Sequence, residues 1–148
     1  MAARAADLLE DRSESTEDHL ERIQELLDSK GYARVTDIAL ALNLSRSTVS
    51  NMVRRLAARG YVNYERYRGF TLTPSGRQVA DHIKARHQTL TRLLDLMGLD
   101  AETIQAEVEG IEHHLKPRTL AQFARLVQYW EKHPDQLAAF VKFANTSD

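Results

Sequence analysis

The chain has 148 residues, 43% hydrophobic and 28% charged, enough for a real core in one domain or two small ones. It has no cysteine, which excludes disulfides, iron–sulfur clusters, thiolate zinc sites and cysteine nucleophiles, and leaves oxygen and imidazole as metal ligands. No apolar run is long enough to cross a bilayer, and the opening MAARAADLLEDRSES has acids where a signal peptide has its apolar segment, so a cytoplasmic protein without a membrane partner is expected.

The net charge of −1 conceals a division along the chain. Residues 1 to 30 carry nine acids against four bases, residues 45 to 69 six arginines against one acid, and residues 95 to 115 six acids with no Lys or Arg. A basic patch inside a near-neutral chain is the footprint of a phosphate-binding surface, because binding a polyanion releases its counterions.

Residues 1 to 14 have weak pattern and are expected to form a loose arm. From there TEDHLERIQELLDSKG predicts a helix, capped by Ser15 or Thr16 and stopped by Gly31. Its apolar stripe is Leu20, Ile23 and Leu27, and the opposite face, Glu17, Asp18, Glu21, Glu25 and Asp28, reads most simply as solvated.

The next stretch, RVTDIALALNLSRSTVSNMVRRLAARG, predicts a helix-turn-helix. A short helix with Thr36 near its cap buries Ile38, Ala39 and Leu42. Asn43 stands where a tight turn needs a left-handed residue. A second helix, to about Arg59, turns Val49, Val53 and Leu56 inward and Arg46, Ser47, Thr48, Ser50, Asn51 and Arg54 outward, a set rich in donors for base edges and phosphates. YVNYERYRGFTLT then alternates about a turn at Arg68-Gly69, predicting a two-stranded wing with Tyr64, Arg66, Tyr67 and Arg68 near its tip. Helix, helix-turn-helix and hairpin in this order make a winged helix.

Thr73-Pro74 opens a long helix that Gly98 closes, with Val79, Ile83, Leu90, Leu94 and Met97 as its stripe. His87 falls in that stripe, where a histidine is more often a packed core residue, and His82 faces water. A short acidic helix from about Ala101 has Ile104, Val108, Ile111 and Leu115 as its apolar side and leads into EVEGIEHHL. On a continuous helix, Glu109, Glu112 and His113 at i, i+3 and i+4 would share an arc of roughly 100°. That is half a metal site, although such clusters also decorate solvated faces. Glu112 sits at the edge of the apolar stripe with no arginine nearby, so it needs protonation, a distant base or a cation. Two further amphipathic helices follow, one with Leu120, Phe123, Leu126, Val127 and Trp130, the last after Pro134, more apolar surface than a small winged helix covers. A dimer interface accounts for it.

KGYARVTDIALAL, YERYRGFTLTPSG, ARH and above all EVEGIEHHL resemble the DtxR/MntR family of metal-dependent transcriptional repressors, over roughly residues 15 to 132. Within it the chain is similar to the manganese-sensing branch. It lacks the C-terminal SH3-like domain typical of the iron-sensing branch, and Asp18 and Glu109 stand where that branch has methionine and cysteine. The resemblance implies metal ligation by Asp18 and Glu21 from the first helix, His87 from the long helix, and Glu109, Glu112 and His113 from the acidic motif. His114 matches no ligand position.

The expected fold is mainly α with a small β-wing, an N-terminal winged helix-turn-helix at 15–73, a linking helix at 74–98 and a helical dimerisation and metal-binding domain at 99–148. The resemblance further implies a homodimer on a palindromic double-stranded DNA operator, with no enzymatic activity and no small organic substrate. Mn(II), two ions per subunit, is the expected cofactor, with Fe(II), Co(II), Cd(II) or Zn(II) as substitutes. The alternatives are an iron- or zinc-responsive repressor of the same family, a binuclear metal hydrolase, which lacks any sign of a further general base, and a winged-helix sensor of an organic ligand.

Overall fold

Apolar spacing of three and four residues dominates the chain, and in the computed structural model, which describes residues 14–146, most of that spacing becomes helix. The order is α1 (Glu14–Lys30), α2 (Val35–Leu42), α3 (Arg46–Ala58), β1 (Val62–Glu65), β2 (Gly69–Leu72), α4 (Pro74–Leu96), α5 (Ala101–Ile111), a 3₁₀ turn (Glu112–His114), α6 (Pro117–Lys132) and α7 (Pro134–Asn145). The expected N-terminal arm lies almost wholly outside the described residues. By its internal contacts the chain divides into two units, one ending at Lys84 and the other starting at Ala85, so α4 is shared between them.

In the first unit, α1 packs against α2, α3 and β2. Leu20 and Ile23 of α1, Ile38 of α2, Val49, Val53 and Leu56 of α3, Val62 of β1 and Ile83 of α4 are sealed from solvent in one cluster. Each aliphatic side chain so buried contributes about 1.5–3 kcal/mol. The helix-turn-helix forms as expected: Asn43 takes the left-handed conformation (φ 53°, ψ 47°), and the Ser45 Oγ accepts the Thr48 N–H at 3.1 Å to start α3.

Thr36 stands near the start of α2 as expected, two residues past its cap Arg34, which makes no side-chain hydrogen bond. Two local expectations are corrected. Ser15 and Thr16 lie inside α1, so neither caps it. The wing turns one residue early: Glu65 pairs with Gly69, leaving Arg66-Tyr67-Arg68 as the loop and Tyr67 at φ 74°. Gly69, at φ 77°, brings its backbone against Ala33, where the Phe70 N–H donates to the Ala33 carbonyl at 2.7 Å. A Cβ on Gly69 would stand 2.2 Å from the Ala33 oxygen, so only glycine lets the wing lie there.

The second unit has a smaller core, Leu90, Ile104 and Val108, with Leu94, Leu99, Ile111, Leu115, Leu120 and Phe123 packed around it. Thr73 Oγ1 accepts the Gly76 N–H at 3.0 Å, and Pro74 takes the first helical position, starting α4 as expected. Met97, placed in the stripe by spacing, is exposed instead, because it belongs to the Gly98 turn (φ 88°) that ends α4.

Candidate metal centre and nucleic-acid interface

The outward face of α3 carries no acid. Arg46, Ser47, Thr48, Asn51 and Arg54 are exposed and Ser50 is half-buried, as the spacing of Val49, Val53 and Leu56 requires. At the wing, Tyr64 and Tyr67 are exposed and the Arg66 guanidinium lies 5.1 Å from the Tyr67 ring centroid. Arg68 is braced: its Nη1 donates to Glu65 Oε2 at 3.2 Å and its Nε to the Gly31 carbonyl at 3.2 Å. A cationic helix of hydrogen-bond donors beside an aromatic and arginine wing is suited to a phosphate backbone with base edges next to it.

In the second unit α5 does not run through the acidic motif. It ends at Ile111 (φ −112°), and Glu112–His114 tighten into a 3₁₀ turn. The shared helical arc of Glu109, Glu112 and His113 is therefore not formed. Pro117 forces the reason: Lys116 before it is extended (ψ 149°), as is Leu115, so the helix must stop short. Glu109 is exposed and accepts from Gln105 Nε2 at 3.5 Å.

Glu112 is 4% exposed, and the structure supplies the partner that its burial demands: His87 Nδ1 donates to its Oε2 at 3.0 Å. That bond fixes His87 with its proton on Nδ1 and its lone pair on Nε2, the arrangement in which a carboxylate orients a metal-binding histidine. His87 is thus not a sealed core residue, its side chain being 42% exposed. A groove of about 540 Å³ opens beside it, lined among others by Gln88, Thr91, Ile104 and Gln105, and gives an ion a route in. His113 Nε2 stands 3.7 Å from Glu112 Oε1, while its Nδ1 accepts from Arg86 Nη2 at 3.3 Å.

On α1, Asp18 and Glu21 are half-buried, whereas Glu25 and Asp28 are exposed. Glu17, on the face expected to be solvated, is only 3% exposed. Among the described residues, no three His, Asp or Glu side chains are already arranged to hold a metal ion. The chemistry of the donors nevertheless fits one: the six residues implied by resemblance provide four carboxylates and two imidazoles, a hard oxygen-and-nitrogen set suited to Mn(II) or Fe(II).

Arg86 and His19 are among the buried polar residues that escaped the sequence reading, as are Gln24 and Thr71. Arg86, 6% exposed, occupies a stripe position between Ile83 and Leu90, and a cation in an apolar register is the signal that could have exposed it. His19, 1% exposed, donates from Nδ1 to the Ser15 carbonyl at 2.6 Å. It stands one turn before Ile23 in the same kind of register.

A basic winged helix-turn-helix, joined by a shared helix to a unit in which a buried carboxylate lies beside two imidazoles, defines a metal-responsive DNA-binding regulator. The comparisons agree with that class. Residues 11–70 match the model of the iron dependent repressor N-terminal DNA binding domain, and residues 73–140 that of the iron dependent repressor metal binding and dimerisation domain. The chain is 48% identical over 121 residues to the HTH-type transcriptional regulator MntR of Lysinibacillus sphaericus, a match covering 82% of this chain and 87% of that one. It is 42% identical over 132 residues to the MntR of Listeria welshimeri, covering 89% and 93%. It therefore belongs to the iron-dependent repressor family, the DtxR/MntR family, and is a transcriptional regulator, not an enzyme.

Solved structures share the fold. T. acidophilum IdeR superposes with a TM-score of 0.67 at 32% identity, covering 77% of this chain and 54% of that one. A manganese-dependent transcriptional repressor in complex with manganese superposes with a TM-score of 0.68 at 28% identity, covering 77% and 53%. The chain thus spans about half the length of these solved relatives.

Proposed function

We propose that this chain is a manganese-responsive repressor of metal-uptake genes, acting in the cytoplasm as a homodimer on a palindromic operator. Asp18 and Glu21 of α1, His87 of α4, Glu109 of α5, and Glu112 and His113 of the 3₁₀ turn are the residues that would hold two Mn(II) ions per subunit. Fe(II), Co(II), Cd(II) and Zn(II) suit the same donors less selectively. When bound, the cation supplies the positive charge that lets these carboxylates lie together.

The chain's own residues do the rest. Without a cation the acids of α1 and of the 99–115 segment repel one another, and the DNA-reading unit is loosely oriented. Closure of both sets on one centre fixes that orientation in each protomer. In a two-fold dimer the two α3 helices then stand about one DNA turn, roughly 34 Å, apart, as successive major grooves require. Arg46, Ser47, Thr48, Ser50, Asn51 and Arg54 read bases and phosphates, and Arg66 and Arg68 approach the backbone from the wing.

The observation that carries this reading is Glu112, a carboxylate 4% exposed whose neighbour at 3.0 Å is the Nδ1 of His87, a histidine that lines an open groove. Operator binding followed by fluorescence anisotropy across Mn(II), Fe(II), Co(II), Cd(II) and Zn(II) tests it. Mn(II) should promote binding and His87→Ala should abolish that response; equal activation by zinc and manganese would sink selective sensing.

A further inference from the structure

Arg86 is a full cation, 6% exposed, at a stripe position where its neighbours at three and four residues, Ile83 and Leu90, are sealed. A guanidinium has donors and no acceptor, and it does not deprotonate in proteins. Its Nη2 lies 3.3 Å from His113 Nδ1, so that nitrogen must be the acceptor and the ring proton must sit on Nε2. The protonated Nε2 faces Glu112 Oε1 at 3.7 Å, and the other oxygen of Glu112 accepts from His87 Nδ1 at 3.0 Å. The four residues form a chain in which a buried carboxylate is flanked by two imidazoles, one of which accepts from the guanidinium.

The two histidines of this chain are not equivalent. His87 keeps a lone pair on Nε2. His113 keeps none: one nitrogen accepts from Arg86 and the other is protonated. Ligation needs an imidazole lone pair. If Nδ1 is to ligate, it must give up Arg86. If Nε2 is to ligate, the proton moves to Nδ1 and confronts a donor with a donor. Both routes break the Arg86–His113 bond, and both leave a unit positive charge beside a dication, which repels it.

We infer that Arg86 is a resident counter-cation of this site, holding His113 in a form that cannot ligate, so that a divalent cation binds only by displacing the guanidinium, and the strength of that hold sets the metal concentration at which the protein responds. The inference rests on the metal-responsive reading above and adds a set point to it. Metals low in the affinity order need a sensor that stays empty until they are plentiful, and a built-in competitor weakens the site without altering its donors.

The test uses the full chain and two variants. Arg86→Met keeps side-chain length without charge or donors, and Arg86→Lys keeps the charge without the planar fork. In calorimetric titrations with Mn(II) alone, Arg86→Met should bind about tenfold tighter than the unsubstituted protein, with Arg86→Lys between them. Nitrogen-15 chemical shifts of the metal-free protein should show His113 with its proton on Nε2, and Arg86→Met should show a mixture of tautomers. Unchanged or weaker binding by an Arg86→Met protein whose circular dichroism shows it folded would overturn the inference. If that variant does not fold, unchanged binding by Arg86→Lys overturns it. If the unsubstituted protein binds no Mn(II), the metal-responsive reading fails and takes this inference with it; if it binds and the variants match it, only the inference fails.

Discussion

The first unit closes its core with aliphatic side chains, Leu20 and Ile23 through Ile38, Val49, Val53 and Leu56 to Ile83, also buries Glu17 and His19 of α1, and displays its arginines on the outward face of α3 and on the wing. The second unit seals three hydrophobic residues, Leu90, Ile104 and Val108, in its central cluster and buries charge close by in sequence, Arg86 four residues before Leu90 and Glu112 four after Val108. Among its described residues, α7 buries none, and Leu126, Tyr129 and Phe143 stay exposed. A reading head needs one fixed shape, which close packing provides. A sensing unit needs a state that can change, and a polar chain with an unfilled apolar surface has both a second partner to accept and a bond to exchange. The matched dimerisation domain spans this second unit, so the uncovered faces fall where another copy of the chain is expected.

The sharpest way to break this contrast is to damage the first unit alone. Ile38, fully sealed in α2, contributes only packing. Ile38→Ala should cost about 3 kcal/mol of stability in urea unfolding, equally with and without Mn(II). A loss that metal restores would mean that the reading head depends on the sensor for its fold. The complementary lesion is Glu112→Gln, which preserves volume and removes the charge that His87 points to. Calorimetry should show Mn(II) affinity falling about a hundredfold, roughly 2.7 kcal/mol, with the urea midpoint of the metal-free protein held or raised. A metal affinity left intact would remove Glu112 from the centre.

A smaller effect separates the two kinds of arginine within the reading head. Arg54→Ala should weaken operator binding about tenfold and lower the slope of log affinity against log salt by about one, as loss of a single phosphate contact requires. Arg68→Ala should do less to binding, because its guanidinium divides its donors between the phosphate backbone and its ties to Glu65 and the Gly31 carbonyl. Equal losses of affinity and of salt slope in the two variants would show that those ties do not weaken its phosphate contact.

The head was legible in the sequence because each of its signals is local. The spacing of Val49, Val53 and Leu56 and the left-handed Asn43 act within a few residues and took the expected form, and the structure adds the Ser45 cap. The sensor was legible by residue type but not by geometry. Helical spacing put Glu109, Glu112 and His113 on one arc, yet Pro117 ends the helix before that arc is complete, a signal that lay beyond the motif itself. The stripe of α4 was read as apolar, which hid Arg86 and made His87 look like core. Their partners, His113 and Glu112, lie 27 and 25 residues away, and no spacing rule reaches that far. Asp18 and Glu21 were not separable from the other acids of α1 by periodicity; they differ from Glu25 and Asp28 in being half-buried, a property of the fold.

The slightest test concerns the start of α5, which holds the sensing unit's own helix in place. Asp100 caps that helix: its Oδ1 accepts the Thr103 N–H at 2.9 Å and its Oδ2 the Thr103 hydroxyl at 2.7 Å. The Thr103 amide first, and then the hydroxyl, hold the Asp100 carboxyl below the usual carboxylate range. A carboxyl whose pKa falls on folding stabilises the fold above its unfolded value and loses that contribution as pH drops through the lower, folded value. The loss therefore belongs below about pH 4, the ordinary aspartate range, and is absent at neutrality. Asp100→Asn keeps an acceptor at the cap and removes the titration, so the unsubstituted protein should melt slightly higher near pH 7 and the two melting temperatures should converge below about pH 4, the unsubstituted chain falling faster. Parallel slopes there would mean that the cap acts through shape alone.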